Sequence, residues 1–226
     1  MRRVRPNHLI VLVHDGRVPD AIFAKIAKRY DTVNSVLSFG QDQAWRAKTI
    51  AHLPTGRILD LGSGTGAAAG VFGDREVVAL DPVSQMLGLS AIPHRVVALG
   101  ERLPFADGSF DSVFSAYVFR NLDSVAETLE GIARVLRPGG AAGIVDLGRP
   151  KRSMSKRLHR VGSAVVLPIA GATVGATQEY RYLAKSLDKL PPPEEMYASG
   201  PLQFERVWRM GPLGFVYGVI LRKPVD

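Results

Sequence analysis

Residues 57–81 constrain the fold more than any other part of the chain. Arg57–Leu61 (RILDL) is a continuous apolar run of strand length. The glycine-rich stretch LDLGSGTGAA, residues 59–68, overlaps its end, and the next run, Glu76–Leu80 (EVVAL), is closed by Asp81. Strands that are apolar on both faces must be covered on both faces, as in a parallel sheet flanked by helices. Gly62, Gly64 and Gly66 let the backbone turn sharply and let a ligand approach with no Cβ in the way. A carboxylate closing the second strand, about twenty residues beyond Asp60, can accept both hydroxyls of a ribose. The combination reads as a site for an adenosine-containing cofactor. Gly62, Gly64 and Ala67 also satisfy the looser pattern G-x-G-x-x-A, so a nicotinamide dehydrogenase stays open at this point, as does a plain tight turn.

Further strands are predicted at Arg95–Leu99, Phe110–Tyr117 and Ala141–Leu147. Helical spacing covers Ala21–Tyr30, Asp42–His52 and Ser124–Leu136, the last stopped by Pro138-Gly139-Gly140. Phe204–Met210 and Phe215–Arg222 are separated only by Gly211-Pro212-Leu213-Gly214, a turn, so they should pair antiparallel. The expected architecture is therefore α/β: a mostly parallel seven-stranded sheet, helices on both faces, and a C-terminal antiparallel hairpin. At 226 residues the chain is one domain with a small appendage. Residues 1–53 read as an N-terminal arm with lid helices, and 54–226 as the main domain with a covering insertion at about 151–200. The apolar run Leu9–Val13 is too short for a signal peptide and reads as an extra strand or ordered arm.

Cysteine is absent, which excludes a thiolate nucleophile and Cys-built metal sites, and the five His show no ligand spacing, so no metal is expected. The absence fits a cytoplasmic protein. Lys and Arg number 29 against 21 Asp and Glu, a net +8 that suits an acidic ligand, nucleic acid or anionic lipid. The basic residues are not interleaved with stacking aromatics, which argues against nucleic acid. No run of about 18 charge-free apolar residues spans a membrane. Lys151, Arg152, Lys156, Arg157 and Arg160 do precede a charge-free stretch, Val161–Thr177. That pattern suits an interfacial segment on anionic lipid, and equally a solvated basic face followed by a buried lid helix.

A second motif, LPFADGSFDSVFSAYVFRNL (103–122), places Arg120 and Asn121 at the carboxyl end of the fourth strand, where ligands of open α/β sheets bind. Asn121 reads equally as a cap for the helix beginning near Ser124. Asp146, at the end of the fifth strand, is either functional or paired with nearby Arg149.

The segments ILDLGSGTG, VVALDPVSQML, LPFADGSFD and RVLRPGG resemble successive motifs of class I S-adenosylmethionine methyltransferases. More closely, AKRYDTVNSVLSFGQDQAWR (27–46), YVFRNL (117–122), VVLPIAG (165–171) and EYRYLAKSLDKLPPPEEM (179–196) resemble the demethylmenaquinone/ubiquinone C-methyltransferase family, over about residues 20–222. The resemblance implies a Rossmann-like class I methyltransferase fold with S-adenosylmethionine as cofactor, held by Gly62, Gly64, Thr65, Asp81, Pro82, Leu99 and Gly100. Where that family carries Asn-Ala or Asp-Ala, this chain has Leu99-Gly100, which leaves backbone contacts to the adenine. Its serine after the fourth strand aligns with Ala116, beside Ser115. The implied substrate is a reduced polyprenyl quinone methylated on a ring carbon. Arg120 would stabilise the phenolate, Asn121 would hydrogen-bond the ring oxygen and Tyr30 would line the ring site. Asp31 and Asp146 are secondary candidates for accepting the proton. A lipophilic quinol implies peripheral contact with an anionic membrane; a homo-oligomer is compatible with the sequence, and no nucleic-acid partner is expected. The alternatives are a methyltransferase for another apolar small molecule and a basic RNA- or DNA-binding methyltransferase-like protein.

Overall fold

The computed structural model describes residues 40–148, 191–211 and 214–225, together with residues 35 and 38 and the backbone of 8–11. The predicted helix at Ala21–Tyr30, the candidates Tyr30 and Asp31, and the basic and charge-free stretches between 151 and 177 lie outside the described residues.

Eight strands form one sheet in the order β1-β4-β3-β2-β5-β6-β8-β7. They are β1 (His8–Val11), β2 (Arg57–Leu61), β3 (Glu76–Asp81), β4 (His94–Val97), β5 (Phe110–Ala116), β6 (Leu136–Leu147), β7 (Gln203–Met210) and β8 (Val216–Arg222). The seven expected strands are all present, five of them parallel, and β8 runs antiparallel to both β6 and β7. The N-terminal run adds an eighth, parallel to β4 at the sheet edge. Within residues 1–53, β1 belongs to the sheet, and helix α1 (Asp42–Ile50) buries Trp45 and Ile50 in the core.

The strands alternate their side chains between two cores, as a pleated strand must. Leu59, Leu61, Val113 and Ile144 face one, with Leu129, Ile132 and Val135 of helix α3 (Val125–Val135; α2 is the single turn Ser84–Leu87). Ile58, Phe114 and Val145 face the other, with Trp45 and Ile50 of α1. Helix α3 starts where Ser124 Oγ accepts the Glu127 amide at 3.2 Å, an N-cap with the S-x-x-E spacing. It ends one residue earlier than predicted. Leu136 already pairs with Phe110, so the Pro-Gly-Gly stop lies inside β6 rather than after a longer helix. At the other side of the site β4 ends at Val97, so Ala98, Leu99 and Gly100 have left the sheet.

The strand order reverses between β2 and β5, since the chain runs outward through β3 and β4 and then returns to the other flank of β2. The carboxyl ends of β2, β3 and β5 therefore open onto one crevice, the usual ligand position in such sheets.

Candidate active site

The crevice is built on the glycine loop after β2. Gly62 has φ 69°, and a Cβ there would lie 2.2 Å from Val118 Cγ2; at Gly66, φ 79°, a Cβ would lie 2.3 Å from Ser90 Oγ. Both the left-handed backbone and the close approach require glycine. The amides of Gly62 and Ser63 donate to Leu80 O at 2.7 and 3.0 Å, and Gly64 N donates to Asp81 Oδ2 at 2.9 Å. Asp81 Oδ1 accepts from Val83 N at 2.8 Å. One carboxylate thus clamps the loop after β2 to the loop after β3 while facing the cleft between them.

Gly62, Gly64, Thr65, Asp81, Pro82, Gly100 and Asn121 all line this cleft. Leu99 does not: its side chain is buried, and Gly100 is the member of that pair that reaches the opening. A Cβ at Gly100 would press on Leu122 Cδ2 at 3.1 Å, so the cleft wall is fitted to glycine here. Ala116 lines the cleft, whereas Ser115 Oγ is turned into the sheet and donates to Leu61 O at 3.0 Å.

The exit from β5 is strained. Tyr117 has φ 65°, the left-handed region that a bulky residue avoids. It is held from both sides: its N donates to Val145 O at 2.7 Å, and its O accepts from Arg120 Nη1 at 2.9 Å and Asn121 Nδ2 at 3.3 Å. Such strain persists only where the surroundings over-determine it, and it brings Val118 and Asn121 onto the cleft wall, while Phe119 packs in the core and Arg120 lies behind the lining residues.

Arg120 is buried, and its Nη1 also donates to Asp146 Oδ1 at 2.8 Å. Asp146 is fully buried and accepts from its neighbour Leu147 N at 2.7 Å as well; among the described residues its ion-pair partner is Arg120, and Arg149 lies outside them. Across the β6–β8 register Asp146 faces Tyr217, whose hydroxyl lies 3.2 Å from that of Tyr197. Burial, reinforced by the Asp146 charge, pushes both phenols well above their ordinary range.

Two charged residues near the cleft escaped the sequence reading. Arg46, on α1, lines the cleft with its guanidinium 5.3 Å above the Tyr117 ring. Asp60, one strand position before Leu61, is buried, and desolvation pushes its carboxyl up to about 6; the Ser63 side chain and the Arg46 charge oppose this only in part. Neither forms a local pattern. The visible hint was helical spacing on α1, where Asp42, Trp45, Arg46 and Thr49 share the buried face.

A family model described as the ubiE/COQ5 methyltransferase family matches residues 11–199. The chain belongs to that family. The match takes in every cleft residue from Arg46 to Leu122 and also the Arg120–Asp146 pair. Similar proteins within this class include the ubiquinone/menaquinone biosynthesis C-methyltransferase UbiE of Geotalea daltonii, 34% identical, with 83% of this chain and 88% of that one covered. Another is the demethylmenaquinone methyltransferase of Deinococcus radiodurans, 36% identical over 80% of this chain and 82% of its own length. Among solved structures, a SAM-dependent methyltransferase of Thermotoga maritima, described as a possible histamine N-methyltransferase, superposes with a TM-score of 0.65 at 16% identity, covering 90% and 98% of the two chains. The [4+2]-cyclase SpnF does so with 0.61 at 15% identity, covering 97% and 100%. A methyltransferase and a cyclase on one scaffold show that the fold of this family does not choose the chemistry; the residues of the cleft must.

Proposed function

We propose that this protein transfers the methyl group of S-adenosylmethionine to a ring carbon of a reduced polyprenyl quinone, a demethylmenaquinone or ubiquinone precursor. The observation that carries the reading is the family match running through the whole cleft, together with the names of the two relatives above.

The cleft fits the cofactor. Its floor is a glycine cradle that any Cβ would fill, and its acidic group, Asp81, stands at a strand end where ribose hydroxyls can donate to it. Val83 and Met86 supply apolar surface beside it for an adenine ring, with Pro82 and Gly100. When bound, S-adenosylmethionine supplies an electrophilic methyl on a sulfonium. The chain itself supplies alignment and electrostatics.

A phenol titrates near 10, so ionising a quinol hydroxyl at neutral pH needs a nearby positive charge. Arg120 keeps its charge throughout and is fixed in orientation by Asp146 and Tyr117 O, so it favours the anion without giving up a proton. Asn121 lines the cleft one residue on and orients the ring oxygen. From the family resemblance Tyr30 would line the ring site, and Asp31 would be the remaining candidate for accepting the proton, since Asp146 is committed to Arg120. The substrate is drawn from a bilayer. The protein therefore works peripherally at a cytoplasmic membrane surface, with the basic residues from Lys151 to Arg160 facing anionic lipid. Among the described residues no helix is long and apolar enough to cross a membrane.

The test is a mass spectrum of quinones from cells lacking the protein. A quinone one methyl lighter should accumulate, and the normal species should return on re-expression. An unchanged quinone pool would contradict the reading.

A further inference from the structure

Arg46 is a buried cation that makes no hydrogen bond with its side chain among the described residues. Its residue is 6% exposed, and it lines the cleft. Its guanidinium forms no hydrogen bond with any described residue, and its Nε is buried without an acceptor. Its ion pair among the described residues is with Asp42, Nε to Oδ2 at 3.7 Å, beyond hydrogen-bond reach. Asp42 is itself engaged elsewhere, accepting from Ser38 Oγ at 3.3 Å and Gln43 Nε2 at 3.2 Å. Asp60 is near enough to feel the Arg46 charge, yet does not hydrogen-bond it. A guanidinium removed from water with its donors unused is costly unless something else completes the set.

We infer that Arg46 is the carboxylate-binding residue of the cleft, receiving the amino-acid carboxylate of the cofactor. This rests on the cofactor reading above. Three placements support it. The Tyr117 ring lies beneath the guanidinium, 5.3 Å from its carbon, and holds the charge beside the end of β5. Gln43, on the same helix, donates to Ala67 O at 3.0 Å and so ties α1 to the glycine loop, holding Arg46 in register with it. Asp81 belongs to β3 and Tyr117 follows β5, with β2 between them, so the acidic and basic ends of the cleft lie about two strand spacings apart, roughly 10 Å. A ligand that is a ribose at one end and a carboxylate at the other matches that polarity. A planar guanidinium can take both carboxylate oxygens at once, which a lysine cannot.

The test uses the full chain and equilibrium binding by calorimetry, with S-adenosylmethionine and its decarboxylated analogue as the two probes. The wild-type protein should prefer the carboxylated ligand by about 10- to 100-fold, the range for a hydrogen bond to a charged group. Arg46→Gln should abolish that preference, weakening S-adenosylmethionine while leaving the decarboxylated analogue within about twofold. Arg46→Lys should keep part of the preference, and it serves in place of Arg46→Gln should the glutamine variant fail to fold. Equal weakening of both ligands, or of neither, overturns the role of Arg46 and leaves the cofactor reading standing. A wild-type protein that binds neither ligand overturns that reading, and this inference with it.

Discussion

Arg120 and Asp146, 26 residues apart in sequence, form a buried ion pair at 2.8 Å beside the strained turn that leaves β5. The pair joins the exit of β5 to the end of β6 and sets where the arginine's charge sits relative to the cleft. Removing one member of a buried pair leaves the other uncompensated, at about 3–5 kcal/mol. Arg120→Ala should therefore lower stability by that order, and cost on the order of 2–4 kcal/mol of transition-state stabilisation. The double replacement Arg120→Met with Asp146→Leu should recover most of the stability and none of the turnover. Chemical denaturation and single-turnover methylation, measured on both variants, separate the two effects. A double variant with restored activity would remove the charge from the mechanism.

Asp81 serves the loops and the ligand together, accepting from Gly64 N and Val83 N. Asp81→Ala should weaken S-adenosylmethionine by about 1–3 kcal/mol. Asp81→Asn should weaken it too, because an amide nitrogen cannot accept from the second backbone N–H. Calorimetry checks both, and normal affinity in either variant would take Asp81 out of the ribose site.

Asp60 sets a pH dependence. Its folded carboxyl is raised to about 6 from an ordinary 3.8 by burial, so the folded chain holds the proton more tightly than the unfolded one. Its contribution to stability is full below about 3.8 and is lost as pH rises through about 6. At about 1.4 kcal/mol per unit, ionised Asp60 costs on the order of 3 kcal/mol at neutral pH. Melting temperatures of wild type and Asp60→Asn should therefore converge in acid, separate as pH rises from about 4 to about 6, and stay apart above that, with the variant the more stable at pH 7. Parallel curves across that window would show that Asp60 does not carry this penalty.

How much of this was legible beforehand follows the range of the interactions. The glycine loop, Asp81 and the strands are local: a turn geometry, a strand end and an apolar run each sit within a few consecutive residues, and the expected strands appear within one to five residues of their predicted ends. Arg120 and Asn121 were placed correctly at the end of β5, but not the direction of the Arg120 guanidinium. That depends on Asp146 arriving from β6, which no spacing encodes. Arg46 sits 71 residues before Tyr117 and meets it only because α1 packs against the sheet. Charged residues on a helical face read as solvated until the packing shows that face buried. Leu99 and Gly100 were read together for their backbone; past the end of β4 at Val97 the Leu99 side chain is buried while Gly100 borders the cleft.

The basic stretch beyond β6 gives a further test. Replacing Lys156, Arg157 and Arg160 by Gln should weaken binding to anionic vesicles by about 1 kcal/mol per charge. Turnover of a short-tailed quinol in solution should be spared. Equal losses on both substrates would place these residues in folding or in the site instead of at the lipid surface.

Methyl transfer to a quinol ring carbon is decided by the position at which the methyl arrives. The purified protein is given S-adenosylmethionine carrying a 13C methyl, with a short-chain demethylnaphthoquinol and demethylbenzoquinol and their oxidised quinones in parallel, and the products are read by NMR. One labelled methyl should appear bonded to ring carbon, formed from at least one of the quinols and from neither oxidised quinone. Label on an oxygen, or no label on either quinol while S-adenosylmethionine binds normally, would contradict it.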